Sequence, residues 1–261
     1  MTGLPFIVTL MFETNMELNH RQQQIMTLLQ GGGRINVRAL AGRFTVSEMT
    51  IRRDLNAMEA EGLLVRTYGG ATPTGSLRPH HESPAQAAIG RRAAAMVSPG
   101  QTVMLSTGDT ALEVARYLPR DAGLTVATTS LSVAQELFGS DITVVLFGGI
   151  LRKEFPSLYG PMTEAMVKNF HVDLLFTGTD GARSDDGFYT AEIQHSSLEQ
   201  AMISIADHVV VVTESRKFGQ PAFVRFAAID EVDKVITDAG LSASDRRNLE
   251  ERGVEVVIAE V

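Results

Sequence analysis

From Asn19 onward the chain places apolar residues at helical spacing. Ile25, Leu28 and Leu29 follow Arg21 and define a first helix, which the run Gly31-Gly32-Gly33 stops. Ile35 and Val37 lead into a second, shorter helix through Leu40, Ala41 and Phe44, and Thr45-Val46 forms a turn. Ser47 stands where an N-cap belongs, and the third helix buries Ile51, Leu55 and Met58. Its opposite face carries Ser47, Glu48, Met49, Thr50, Arg52 and Arg53. Gly62 ends this helix, and Leu63 to Tyr68 followed by Gly69-Gly70 reads as a small hairpin. Two helices joined by a tight turn, the second presenting hydroxyls and arginines, form the geometry that enters a DNA major groove. The same outline fits a helical hairpin used for protein contacts, so the pattern alone leaves both readings open.

Past this head the pattern changes. Residues 73–85, with Pro73, Gly75, Pro79 and Pro84, predict a linker between a domain over 19–72 and a larger one over 86–261. The larger segment opens on a helix over 86–97 and then alternates apolar β-rich runs with helical stretches. Strands are predicted over 102–105, 124–127, 142–147, 174–177, 208–213, 234–237 and 254–258. Helices are predicted over 111–118, 131–138, 163–169, 197–206 and 243–251. Continuous apolar strands alternating with helices make a Rossmann-like α/β domain with a mostly parallel sheet covered on both faces.

In such a sheet a ligand lies beyond the carboxyl ends of the strands. The residues there are Ser106-Thr107-Gly108-Asp109-Thr110, then Thr128-Thr129-Ser130, then Gly148-Gly149 with Arg152. Gly178-Thr179-Asp180-Gly181 and the segment from Glu214 through Arg216 and Lys217 to Gly219 follow. Glycines and hydroxyls at helix starts, with Arg152, Arg216 and Lys217 nearby, suit a small hydroxylated anion such as a sugar phosphate. Each loop alone is better explained by turns that need glycine; five converging on one edge point to a pocket.

Charge sharpens the division. The formal net charge is −8, yet residues 17–72 hold seven arginines against five carboxylates, a balance of +2. A mildly basic head on an acidic body suits a protein that touches phosphate with one end only. Cysteine is absent, which excludes disulfides, thiolate metal sites and a cysteine nucleophile and fits a reducing, cytoplasmic setting. Met1 to Phe12 is apolar but lacks a basic leader and a cleavage site, and it is too short to span a bilayer as a helix. It is expected to carry no function, with Met11 or Met16 as the true start.

The string Leu40-Ala41, Phe44, Val46-Ser47, Thr50-Ile51-Arg52-Arg53-Asp54-Leu55, Glu61-Gly62, Leu64, Arg66 and Gly69-Gly70-Ala71 closely resembles the DNA-binding signature of the DeoR family. That resemblance implies a winged helix-turn-helix with Thr50, Arg52 and Arg53 at the groove and Ser47 on phosphate. Arg66 and Tyr68 of the hairpin are placed to reach the flanking backbone or minor groove. Asp54 is expected to pair internally with an arginine, because a carboxylate facing phosphate is repelled.

The second half resembles the family's sensor domain through Gly148-Gly149 with Arg152, Gly178 with Asp180-Gly181, and Ser215-Arg216-Lys217-Phe218-Gly219. This implies a fold shared with sugar-phosphate isomerases and a phosphorylated sugar as effector. The chain departs from the family pattern where Ser106 replaces an acid and Asp109 a threonine. His195 and Glu199 stand for a Glu and a Lys, and Glu214 and Arg216 for an Asp and a Ser. An acid at 109 weakens binding of a dianion by repulsion, and Arg216 is placed to compensate. His195, with no second ligand at metal spacing, is expected to be a surface or helix-cap residue. An isomerase acting on a sugar phosphate is the rival reading, and the absence of Lys at 199 argues against it. The expected partners are operator DNA and one small effector, with no cofactor, metal, catalytic residue or membrane contact, in a homo-oligomer that is a dimer or tetramer.

Overall fold

The computed structural model describes residues 18–32, 35–61, 63–67, 70–73, 83–152 and 156–260. The chain divides into two units, Met1–Pro79 and His80–Val261.

The first unit runs α1 (His20–Gly32), β1 (Ile35–Asn36), α2 (Val37–Phe44), α3 (Glu48–Ala60), β2 (Leu64–Thr67) and β3 (Gly70–Pro73). Polar side chains fix where these helices start. Asn36 Oδ1 accepts from the backbone N–H of Arg38 and Ala39 at 2.8 and 3.2 Å, and Ser47 Oγ accepts from that of Thr50 at 3.1 Å. Thr45 closes α2 in the left-handed region, φ 53°, and turns the chain sharply into α3. One core holds the unit together, with Ile25 and Leu29 of α1, Leu40 of α2, Ile51, Leu55 and Met58 of α3, and Leu64 and Ala71 of the hairpin. The strands form an antiparallel sheet in the order β1-β3-β2. A Cβ on Gly70 would sit 1.9 Å from the carbonyl oxygen of Ile35, so β3 reaches β1 only because that residue is glycine.

The expected internal role of Asp54 is realised. Its carboxylate is nearly buried and accepts from Arg21 Nε at 2.5 Å, joining α3 to α1, with Gln22 Nε2 at 3.5 Å on the other oxygen. Asp54 in turn holds the Arg21 guanidinium above its usual pKa, chiefly by that hydrogen bond.

The second unit begins with α4 (Pro84–Ala94), β4 (Thr102–Leu105), α5 (Asp109–Tyr117), β5 (Thr125–Thr128), α6 (Leu131–Leu137) and β6 (Thr143–Leu146). A hairpin of β7 (Ile150–Arg152) and β8 (Ser157–Tyr159) leads to α7 (Pro161–Val167) and β9 (Val172–Thr177). Then come β10 (Gly181–Arg183), β11 (Gly187–Thr190), α8 (Ile193–Ile203), β12 (Ala206–Val212), β13 (Val224–Ala228), β14 (Lys234–Asp238), α9 (Ala243–Glu251) and β15 (Glu255–Ala259). Seven strands form one parallel sheet in the order β15-β14-β12-β9-β4-β5-β6. Alternate residues feed opposite faces. Val103, Leu105, Leu174, Phe176, Val210 and Val212 pack with α4, α5 and α6, whereas Met104, Leu175, Val209 and Val211 pack with α7, α8 and α9.

The chain builds outward from β4 through β5 to β6, then returns to place β9 on the other side of β4. Strand order therefore reverses between β4 and β9, which makes their carboxyl ends the switch point of the sheet. At the opposite end, Asp173 Oδ2 accepts from Thr102 N and Oγ1 at 2.6 and 2.7 Å, clamping the two strands together. Those hydrogen bonds lower the pKa of Asp173. Each of the seven strands predicted from sequence is present. A three-stranded antiparallel sheet, β10-β11-β13, and the β7-β8 hairpin were not predicted. No helix among the described residues is long and apolar enough to cross a membrane.

Asp54→Ala leaves Arg21 and Gln22 without their acceptor, and the expected loss is about 1–2 kcal/mol, the guanidinium being part-exposed. Denaturant titration of single and double variants checks this: Arg21→Ala/Asp54→Ala should lose less than the sum of the two single changes.

Candidate functional site

On the first unit, α3 presents one polar face. Ile51, Leu55 and Met58 are fully buried, and Met49, Arg52 and Arg53 on the same helix are exposed. Arg52 lies 3.5 Å from Glu48 one turn earlier, so its guanidinium is steadied on the helix surface. Ser47 is exposed at the cap, and Thr50 Oγ1 lies 2.9 Å from Ser47 Oγ. Tyr68 and the side chain of Arg66 lie outside the described residues.

On the second unit, a cavity of about 270 Å³ lies at the carboxyl ends of β4 and β9. Thr107, Gly108, Asp109 and Thr110 enter it at the amino end of α5, and Gly178, Thr179 and Asp180 follow β9. Thr213, Glu214, Arg216 and Lys217 follow β12, and Arg152 comes from β7. The short turn Ser215–Lys217 is held from below by Asp238 at the end of β14, which accepts from Ser215 N and Oγ at 2.7 and 2.6 Å. Burial would raise the Asp238 pKa, but those hydrogen bonds prevail and lower it. Asp238 thereby fixes the backbone that carries Arg216 and Lys217.

The cations of this cavity already have partners. Arg216 makes two hydrogen bonds to Glu214, at 3.1 and 2.7 Å, and these raise its pKa. Arg152 pairs with Glu192, and Lys217 Nζ donates to the carbonyl of Thr179 at 3.2 Å. Asp180 Oδ2 accepts from Thr190 Oγ1 and Ala191 N at 3.2 and 2.8 Å. The arrangement offers a ligand backbone N–H groups, hydroxyls and charges of both signs.

His195 departs from expectation. Instead of a surface or helix-cap position it lines the cavity, its side chain 15% exposed, with Nε2 3.1 Å from Glu199 Oε1 and 3.3 Å from Thr107 Oγ1. The reason is helical spacing: His195 and Glu199, four apart on α8, face the switch point together. Glu199 is buried and accepts from Thr177 Oγ1 at 2.6 Å, and Thr177 Oγ1 also contacts Ser106 Oγ at 3.2 Å. Burial lowers the His195 pKa and Arg152 adds to that, but the hydrogen bond and charge of Glu199, helped by Asp180, outweigh them and leave it raised.

Of the effector residues expected from sequence, Thr107, Gly108, Asp109, Thr110, Arg152, Asp180, Arg216 and Lys217 meet in this cavity. Ser106 lies beneath it, fully buried. Thr129 and Ser130 are buried at the start of α6, where Ser130 caps the helix, and neither lines the cavity. Gly148 accepts from Thr163 Oγ1 at 2.8 Å, Gly149 follows it, and Gly181 begins β10; these three also lie off the lining. Gln86, Thr179, Thr190, His195, Glu199 and Glu214 line the cavity without having been singled out as ligand contacts. For the His195–Glu199 pair, the i, i+4 spacing was the available signal. No group of three or more His, Asp or Glu residues among those described is placed to hold a metal ion.

Comparison with known proteins agrees with this division. Residues 21–75 match the DeoR-like helix-turn-helix domain, and residues 81–239 match the DeoR C terminal sensor domain. The HTH-type transcriptional regulator GlpR of Haloferax volcanii is 35% identical, covering 91% of this chain and 96% of its own length. The glycerol-3-phosphate regulon repressor of Escherichia coli is 32% identical over 86% and 92%, and the transcriptional repressor AccR of Agrobacterium fabrum 32% over 84% and 89%. Ribose 5-phosphate isomerase A from Neisseria gonorrhoeae, 15% identical over 51% of this chain and 52% of that one, gives a TM-score of 0.38.

The raised pKa of His195 makes part of the stability pH-dependent. A group whose folded pKa exceeds its unfolded value of about 6.5 stabilises fully below that value, and the contribution fades as pH rises through the folded pKa. The melting temperature of wild type should exceed that of His195→Gln most at about pH 6, and the gap should narrow toward about pH 9. A gap that is constant across this range would show that the imidazolium–carboxylate pair contributes nothing.

Proposed function

Because this chain belongs to the DeoR family of transcriptional regulators, we propose that it represses an operon for sugar or carbohydrate breakdown and releases its operator when a phosphorylated sugar or related metabolite fills the cavity. The observation that carries this reading is the cavity at the β4–β9 switch point, where the amino end of α5 and Lys217 face one space. Free N–H groups at a helix start and a nearby ammonium favour an anion, and the surrounding hydroxyls and carboxylates favour a polyol attached to it. The name of the Escherichia coli relative, a glycerol-3-phosphate regulon repressor, supports the same class of ligand.

On the other unit, α3 is the recognition helix. Arg52 and Arg53 read bases or anchor phosphate, Ser47 and Thr50 contact the backbone, and Arg66 and Tyr68 of the wing reach the flanking groove. A single head buries too little surface for high specificity, so the active form is at least a dimer on paired half-sites.

Arg52→Ala and Arg53→Ala should each weaken operator binding without unfolding the head. An arginine that reads guanine should cost about 1–3 kcal/mol and relax preference at one base pair. Gel-shift titration at fixed salt checks this, and unchanged affinity in both variants would remove α3 from the groove. In the cavity, Lys217→Ala should reduce the thermal shift produced by phosphorylated sugars, and Asp109→Thr should increase it by removing a repelling carboxylate. Calorimetric titration across phosphorylated and unphosphorylated sugars reads both effects, and reversal of either one would place the phosphate elsewhere.

A further inference from the structure

One wall of the cavity comes from neither a strand end nor α8. Gln86, in the first turn of α4, lines the cavity and is only 9% exposed. Its carboxamide Oε1 is buried with no hydrogen-bond partner among the described residues. An unmatched buried carbonyl has lost its water and gained nothing, which is why such groups are rare and tend to mark function. The terminal amide torsion is broad and nearly two-fold, so a half-turn of the carboxamide presents either the oxygen or the NH₂ to the cavity.

The start of α4 is tied to the site at a second point. Ser83 occupies the N-cap position but makes no side-chain cap hydrogen bond; its hydroxyl donates instead to Glu214 Oε1 at 3.2 Å. Glu214 lines the cavity and holds Arg216. Further along, Gly90 of α4 packs on α5, where a Cβ would lie 2.5 Å from Glu113 Cβ. The amino end of α4 is thus committed to the cavity on one side, and in the sequence it directly follows residues 74–82, which join the two units.

We propose that Gln86 hydrogen-bonds a hydroxyl of the bound polyol, so that the ligand's uncharged portion orders the first turn of α4, the helix by which the chain enters the sensor. This rests on the cavity being the effector site. It divides recognition in two: the strand-end loops take the anion, and Gln86 reads whether a polyol is attached to it. Inorganic phosphate satisfies only the first.

The test uses full-length protein titrated calorimetrically with inorganic phosphate, glycerol 3-phosphate, ribose 5-phosphate and glucose 6-phosphate. Gln86→Met, close in shape but without the amide, should bind inorganic phosphate as wild type does. It should lose about tenfold or more in affinity for whichever polyol phosphate wild type binds. Because the change removes an unmatched polar atom, its ligand-free melting point should equal or exceed that of wild type. Hydrogen exchange in the first turn of α4 should slow on saturation of wild type with that polyol phosphate, and much less in Gln86→Met. Wild-type binding of a polyol phosphate with unchanged affinity in Gln86→Met, or with no protection of α4, overturns the inference alone. Failure of wild type to bind any of the four probes overturns the effector-site reading and this inference with it.

Discussion

The molecule's chemistry depends on a constraint of parallel sheets. Each strand must hand the chain to a crossover at its carboxyl end, and where neighbouring crossovers leave on opposite faces a gap is left that no side chain of the sheet fills. Here that gap lies between β4 and β9. Asp173 holds the far ends of these strands together through Thr102, so the opening is confined to one side. The floor of the opening is a polar chain, Ser106, Thr177 and Glu199 buried and His195 half-buried, whose members contact one another in turn. Such a chain is stable only when its members are satisfied, which fixes both the strand ends and α8 in register with the cavity.

Electrostatics then decide what enters. Arg216 and Arg152 face carboxylates of their own chain, and Lys217 faces a carbonyl. A ligand must therefore share or displace existing pairs, and a weak, monovalent anion gains little by doing so. The head faces the reverse problem, since DNA supplies charge everywhere; there Asp54, in the middle of α3, is turned inward onto Arg21, while Arg52 and Arg53 stay exposed.

Much of this is legible in the sequence. The head was readable because local chemistry sets the start of α3, with Ser47 at its cap, and its helix faces follow a repeat that needs no tertiary information. The seven strands were readable as apolar runs, although their ends shift by one or two residues; β9 starts at Val172 rather than 174 because its first residues are held by Thr102 and Ile205, contacts distant in sequence. The second sheet was not readable. Its strands, three to five residues long, contain Gly181, Gly187 and Arg225, and their register comes from one another and from α8. Gln86 was hidden for a related reason: on an alanine-rich helix a glutamine looks like solvent-facing filler until the neighbouring loops are folded around it.

Gly70 illustrates how far from the DNA a repression defect can begin. It bears no side chain with which to read a base, yet β3 can lie against β1 only while nothing projects toward Ile35. Replacement by any larger residue would push the hairpin off the strand that leads into α2, and the wing would lose its anchor while every arginine of α3 stayed in place. In a genetic selection for loss of repression, such alleles would be indistinguishable by phenotype from changes at the reading face. The inheritance pattern would map a mechanical hinge point and a chemical contact to the same class, and only the folded state of each mutant protein would separate them.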